Sequence, residues 1–344
     1  MNKYKRILGG LIGGAAGDAM GAATESRTTE QIKEYFGHEV TDFEVTPSDT
    51  FAAGNKPGMV TDDFSSAFFV AKHTLDNGGV FRPDTVKKAL VDWASHPVFF
   101  DRFAGPTTRT AIKAFNGEEI PVMKGVRVSS RQATNGAAMR ISPVGLMHPG
   151  DLDAAIRDAA VVAMVTHNNY LAVSSACAVA AAVSRALTYD ADTYNILEAG
   201  LYGAREGERI GLKEGRDIAG PSVIKRMEWA IEIGLGKGTP DEKMHEISDC
   251  IGAGLHACEA IPCAFGIFAA AMGDPMTAII KSVNMGYDTD TIATMAGAIA
   301  GAYRGADAFP EHFLSTLISA NGLDIEKLAM DINEFVNGGA NNER

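Results

Sequence analysis

Asn284-Met285-Gly286-Tyr287-Asp288-Thr289-Asp290-Thr291-Ile292-Ala293-Thr294-Met295-Ala296-Gly297-Ala298-Ile299-Ala300-Gly301-Ala302 is the stretch on which the fold turns. From Ile292 onward it is an unbroken run of small and apolar residues, and Gly297 and Gly301, four apart, fall on one face of a helix. A second helix can approach closely along that face. The spacing predicts a buried helix. The first half sets Asp288, Asp290 and the Thr291 hydroxyl at the helix entry, where unpaired backbone N–H groups and the positive dipole end favour negative charge. Helix capping needs one such residue. Two carboxylates and a hydroxyl before a helix too apolar to face water ask for more, because burying uncompensated carboxylates is costly. A cation resolves the conflict.

Working outward, 344 residues are enough to bury a large core. The 37 glycines and the Ala-rich tracts at 174–187 and 293–302 suit close-packed helices rather than strands, so the expected class is all-α. A formal charge of -12 argues against a nucleic-acid surface, which needs clustered cations to displace counterions. Arg127, Arg131 and Arg140 form the one local basic group, suited to a small phosphorylated ligand. Cys177, Cys250, Cys258 and Cys263 fall in apolar helical patterns without ligand-type spacing and read as reduced core residues.

Lys3, Lys5 and Arg6 ahead of the apolar run 7–16 resemble a secretory leader. Asp18 and Glu25, and the helical spacing of Ile7, Leu8, Leu11, Ile12 and Ala15, read instead as a packed helix. No other segment approaches the apolar length of a membrane span. A cytoplasmic protein without membrane or nucleic-acid partners is expected.

Periodicity predicts helices over 4–23, 28–36, 64–75, 84–94, 107–115, 151–165, 170–187, 192–207, 221–233, 241–250, 256–272 and 276–283, with closing helices across 309–336. The Gly/Pro-punctuated loop 45–60 delivers Thr61-Asp62-Asp63 to the start of an apolar helix, which repeats the arrangement at 288–291. Glu25 follows a nearly uncharged stretch. Singly, these residues read as helix caps or a surface acid. Together, Asp62, Asp63, Asp288 and Asp290 could not all ionise in one place without cations between them. Carboxylate and hydroxyl oxygens without His or Cys are hard ligands, suited to Mg²⁺ or Mn²⁺, with Ca²⁺ as a further option.

The polar loop 129–136 enters an Ala-rich helix that Pro143 is expected to end, and its N–H groups can hold phosphate or ribose oxygens. His167, in the junction 166–169, either orients a ligand or caps a helix, and Glu259, among apolar residues, reads as buried and paired. With no linker and no repeat, residues 1–337 are expected to form one compact domain, followed by a disordered tail, 338–344.

Gly9-Gly10-Leu11-Ile12-Gly13 and Gly17-Asp18-Ala19-Met20-Gly21 with Glu25, then Thr61-Asp62-Asp63, Asn135-Gly136-Ala137-Ala138-Met139-Arg140, Thr166-His167-Asn168 and Gly286-Tyr287-Asp288-Thr289-Asp290-Thr291 follow one another along the chain. In that order they resemble the motifs of the ADP-ribosylglycohydrolase family. The resemblance implies an all-helical fold with a binuclear Mg²⁺ or Mn²⁺ centre ligated by Thr61, Asp62, Asp63, Asp288, Asp290 and Thr291. Glu25, Asp62 and Asp290 carry the implied catalysis, with Glu25 as the carboxylate that acts as acid/base or orients water. Asn135, Gly136, Met139, His167 and Tyr287 face the ligand.

Three positions depart from the family's commonest pattern. Phe64 stands where a hydroxyl residue is usual, Tyr287 replaces a usual Gly, and Ala23 fills a position that is often Pro. An aromatic beside the metal floor narrows the pocket or stacks on a ring. The activity expected is hydrolysis of the C1 glycosidic bond of an ADP-ribosyl group on a modified side chain or small compound. A ribonucleoside hydrolase with the same metal site, or a non-catalytic ADP-ribose-binding or structural member, is the alternative.

Overall fold

The computed structural model describes residues 2–118 and 133–338. Among them the secondary structure is seventeen α-helices and two 3-10 turns, with no strand and three isolated backbone bridges between loops. The helices are α1 (Lys3–Gly21), α2 (Thr29–Phe36), α3 (Asp62–Asp76), α4 (Pro83–Ala94), α5 (Pro97–Phe103), α6 (Pro106–Phe115), α7 (Ser142–Met147), α8 (Leu152–Thr166) and α9 (Tyr170–Ala186). They continue with α10 (Thr193–Glu214), α11 (Val223–Leu235), α12 (Pro240–Ile251), α13 (Ala257–Ala270), α14 (Pro275–Asn284), α15 (Thr289–Arg304), α16 (His312–Asn321) and α17 (Ile325–Gly338). The all-α expectation holds, and no described helix is long and apolar enough to cross a membrane.

The buried helix read from 292–302 is α15, and its closest companion is α1. The two run antiparallel, because Gly9, Gly13, Gly17 and Gly21 lie against Gly301, Gly297, Ala293 and Asp290 in descending order. A Cβ on Gly13 would sit 2.0 Å from the carbonyl oxygen of Gly297, and one on Gly21 would sit 2.3 Å from the Cα of Asp290. The glycine stripe therefore does more than fill a core. It lays the C-terminal end of α1 on the N-terminal end of α15 and brings the loop bearing Glu25 beside Asp290. Gly13→Ala is expected to destabilise by about 2–3 kcal/mol, since the added methyl meets backbone that cannot swing aside. Urea unfolding measures this as a lower midpoint at unchanged slope.

The structure departs from the sequence reading at three helices. Pro143 does not end a helix: residues Asn135–Ala137 form a 3-10 turn, and Pro143 sits in the first turn of α7, where its missing N–H costs nothing. Pro97 opens α5, unread in the sequence, in the same way. The helix expected to stop at 207 runs to Glu214, because Gly203, Gly207 and Gly211 form the stripe that packs on α9. The closing helices expected across 309–336 are α16 and α17, parted at Gly322, whose φ of 66° ends α16 in the left-handed conformation.

Cys177, Cys258 and Cys263 are buried as expected, but Cys250 is exposed on the outer face of α12. The final helix takes in Gly338, the first residue of the expected tail. The remainder, 339–344, lies outside the described residues.

Candidate active site

Three helix ends meet at one place. Beyond Gly21 the chain turns through Thr24, whose hydroxyl lies 3.0 Å from that of Thr289, and the Thr289 hydroxyl donates to the Gly21 carbonyl at 3.0 Å. This fixes Glu25 over the start of α15. The carboxylates of Glu25, Asp288 and Asp290 each offer an oxygen within 4.8 Å of the others. Asp288 occupies the N-cap position of α15, yet its side chain makes no capping bond. It accepts instead from the side-chain amide of Asn135, so capping does not explain it. Asp290 is held by the N–H of Thr291, which donates to it at 2.9 Å, and Thr291 itself is buried.

The start of α3 faces this triple. Here the Thr61 hydroxyl does act as a cap, accepting from the N–H of Asp63 at 3.4 Å. Asp62 is half-buried. Asp63 is fully buried, and one of its carboxylate oxygens has no hydrogen-bond partner. Asp18, deep in α1, completes the floor: its two carboxylate oxygens accept from the N–H groups of Thr61 and Phe64, each at 2.8 Å. This aspartate closes the end of α3 from across the core. The sequence offered one signal for it, a lone acid inside an otherwise apolar helix, which argued against a leader and fell within a family motif without being given a role in the site.

Electrostatics show how closely the groups crowd. Burial pushes the Glu25 carboxyl up to about 10, and the charges of Asp290, Asp288, Asp62 and Asp18 push the same way. Asp62 rises to about 7 because of burial, with Arg140 opposing and Asp290 adding to the rise. Asp63 is raised well above the carboxylate range by burial and then by Asp290, and Asp288 behaves alike, eased by the amide of Asn135. Asp18 is raised by burial and Asp290 against the pull of its two amide donors, and burial raises Asp290 itself. Residues from opposite ends of the chain thus share one field.

The surrounding wall is made of loop segments laced edge to edge by backbone bonds. Ser26 N–H donates to Tyr287 at 2.7 Å, and Tyr287 N–H donates to Arg27 at 2.9 Å. Asp288 N–H donates to Ala253 at 2.9 Å, and Asn135 N–H donates to Leu255 at 3.0 Å. Beyond Asn135 stands His167, buried, with its ring nitrogens 3.0 Å from the Thr134 hydroxyl and 2.8 Å from the Thr166 hydroxyl. Burial and the Arg140 charge drive His167 down to about 3, so its ring is neutral. Gly136 lies on that ring, where a Cβ would come within 2.9 Å of it.

Other expected residues fall less simply. Met139 is buried, its N–H bonded to Asn135 at 3.1 Å, and no described contact carries its side chain to the carboxylates. Arg140 turns inward, toward Asp62 and Asp63, and its only described hydrogen bond is to the Thr108 hydroxyl at 3.2 Å. Arg127 and Arg131 lie outside the described residues. Phe64 does not narrow the pocket, because its ring is buried in the core 3.6 Å from the Cβ position of Gly14. Glu259 is only half-buried, 4.0 Å from Arg226. Tyr287 stands at the rim, 53% exposed and with a φ of 70°. For a side chain this size that backbone costs roughly 1–2 kcal/mol relative to glycine.

The sequence profile of the ADP-ribosylglycohydrolase family matches residues 1–341. The chain belongs to that family. As a member it is a hydrolase. It is 32% identical to the uncharacterized protein YegU of Escherichia coli (strain K12), across 97% of this chain and 98% of that one. It is 27% identical to the ADP-ribosylhydrolase ARH3 of Bos taurus, across 89% of this chain and 87% of that one. The solved structure of an ADP-ribosylglycohydrolase-related protein complex superposes with a TM-score of 0.70 at 23% identity, over 97% of this chain and 99% of that chain. That last likeness shows the fold.

The donor set expected from the sequence is chemically uniform. Thr61, Asp62, Asp63, Asp288, Asp290 and Thr291 offer only oxygens, five of the six are buried, and the unpartnered Asp63 oxygen is an acceptor without a donor. Hard divalent cations fit these residues. A softer ion would find no nitrogen or sulfur among them.

Proposed function

We propose that this chain hydrolyses the C1 glycosidic bond of an ADP-ribosyl group, on a modified side chain or a small ADP-ribosyl compound, with two Mg²⁺ or Mn²⁺ ions. The observation that carries the reading is the convergence of Glu25, Asp288 and Asp290 within 4.8 Å, with Asp62 and Asp63 in the same electrostatic field. Thr61, Asp62, Asp63, Asp288, Asp290 and Thr291 would hold the ions. When bound, the ions would offset the clustered charge and fix the ribose hydroxyls in reactive geometry.

The chain's own residues then divide the work. Glu25 orients water toward C1 and takes its proton, water oxygen bonds to C1, and the C1 bond breaks with its electron pair leaving on the aglycone, which is protonated in turn. Asp290 and Asp288 set the floor beneath the developing positive charge. Asn135, Gly136 and neutral His167 line the side that receives the remainder of ADP-ribose, with Met139 in the turn that carries them. We infer further that residues 1–337 act as one domain closed by α1 against α15. The cysteines, all free, suit a reducing, cytoplasmic compartment.

The test is to incubate purified protein and metal with ADP-ribosyl-arginine, ADP-ribosyl-serine and a nucleoside panel, and to follow products by chromatography. Release of free ADP-ribose is the expected result. Cleavage of nucleosides alone would replace the reading with ribonucleoside hydrolysis. Asp18→Ala is expected to weaken Mn²⁺ binding by roughly tenfold or more, although it removes no ligand, because it frees the amides that aim Thr61 and Asp63. Titration calorimetry checks that value.

A further inference from the structure

Two non-glycine residues of the wall, Ser26 and Tyr287, hold a left-handed backbone, with φ of 64° and 70°, and Tyr287 is the one that carries a large side chain. Its φ of 70° lies in the region that side chains rarely adopt, and its neighbours Gly286 and Asp288 are buried while its own side chain is 53% exposed. The conformation is enforced by two backbone bonds, Ser26 N–H to its carbonyl at 2.7 Å and its own N–H to Arg27 at 2.9 Å. Its hydroxyl makes no hydrogen bond among the described residues. The ring extends over Gly254, where a Cβ would lie 2.5 Å from Cε1, so the glycine leaves room for it. Gly254 is in turn held by Glu259, whose Oε2 accepts from its N–H at 3.2 Å. Next in the same segment, Leu255 is 51% exposed, which extends the apolar rim toward Asn135.

A large aromatic held in a strained backbone, facing solvent with its hydroxyl unpaired among the described residues, points to binding, because such strain clusters at functional sites. Position says what is bound. Tyr287 is one residue from Asp288 and is bonded to the residue that follows Glu25, so it stands on the Glu25 side of the acidic triple. Asn135, by contrast, reaches the triple through Asp288, and His167 lies behind Asn135 against Thr134 and Gly136. Resting on the proposed function, we propose that Tyr287 is a specificity residue: its ring is the platform on which a planar, delocalised leaving group stacks as the C1 bond breaks. A guanidinium and a nucleobase ring share that chemistry, whereas a tetrahedral O-linked aglycone lacks it.

The experiment compares wild type, Tyr287→Gly and Tyr287→Phe, each with Mn²⁺, on ADP-ribosyl-arginine, ADP-ribosyl-serine and a purine nucleoside, with free ADP-ribose affinity measured by calorimetry. Tyr287→Gly is expected to raise KM roughly tenfold for the planar leaving group, the scale of one lost stack. It should leave KM for ADP-ribosyl-serine and affinity for ADP-ribose unchanged, and its Tm should match or exceed wild type because the strain is gone. Tyr287→Phe should retain the wild-type KM. Whichever planar substrate responds, arginine-linked or nucleoside, identifies the source. An equal effect of Tyr287→Gly on every substrate, or none on any, overturns the assignment while leaving the hydrolase reading intact. Wild type that neither cleaves the panel nor binds ADP-ribose removes that reading first, and this one with it.

Discussion

Asp290→Asn is expected to abolish turnover and divalent-ion binding while raising the melting temperature of the metal-free protein. Asp290 is the group whose charge pushes up Glu25, Asp18, Asp62, Asp63 and Asp288, so neutralising it relieves every one of them. The amide oxygen of Asn still accepts from Thr291 N–H, so the local backbone bond survives. Turnover should fall by about 10³-fold, the scale for removing a preorganised charge at the reacting centre. Circular dichroism should show the helices unchanged, and scanning calorimetry in EDTA should show a higher Tm than wild type. A lower Tm in EDTA would mean that the cluster is not held under mutual repulsion.

The second large effect is a dependence of metal stabilisation on pH. Without cations, Asp62 is raised to about 7 and Glu25 to about 10, and Asp18, Asp63, Asp288 and Asp290 are raised as well. The unfolded chain binds those protons only near the ordinary carboxylate value of about 4. Between that value and the raised ones the folded state holds more protons than the unfolded state. The contribution is therefore fully present below about pH 4 and is lost as pH rises through the folded values. Each group contributes at most about 1.4 kcal/mol per pH unit, less for the half-exposed Glu25 and Asp62. Bound Mg²⁺ or Mn²⁺ replaces those protons. The Tm difference between metal-loaded and EDTA-treated protein should thus widen from pH 5 to pH 8, and a difference independent of pH would contradict the carboxylate cluster.

How much of this was legible in the sequence depends on how far apart the interacting residues lie. The helix at 292–302 could be read because its signal is local: an apolar run and two glycines one turn apart. That its neighbour is α1 could not, since Gly13 and Gly297 meet across nearly the whole chain and either stripe would suit several partners. The acidic motifs were legible as paired acids at helix starts, and in the fold their charges act on one another. Their support was not, because the role of Asp18 exists only once Thr61 and Phe64 have been folded against it.

Proline misled twice. Pro143 read as a break and Pro97 drew no helix, whereas each sits in a first helical turn, and a window of sequence shows no difference between a proline that stops a helix and one that begins the next. Phe64 failed for another reason. It shares a helix start with Asp62 and Asp63, but its side chain is buried in the core against Gly14 of α1. Tyr287 was flagged by type alone, and its left-handed backbone, which gives it meaning, comes from bonds to residues 26 and 27.

The central claim is that two acidic motifs from opposite ends of the chain hold divalent ions jointly, and anomalous scattering from crystals grown with Mn²⁺ measures it most directly. Two manganese peaks are expected, bounded by oxygens of Thr61, Asp62 and Asp63 on one side and of Asp288, Asp290 and Thr291 on the other. No peak there at saturating Mn²⁺, or peaks touched by residues of one motif only, would contradict it.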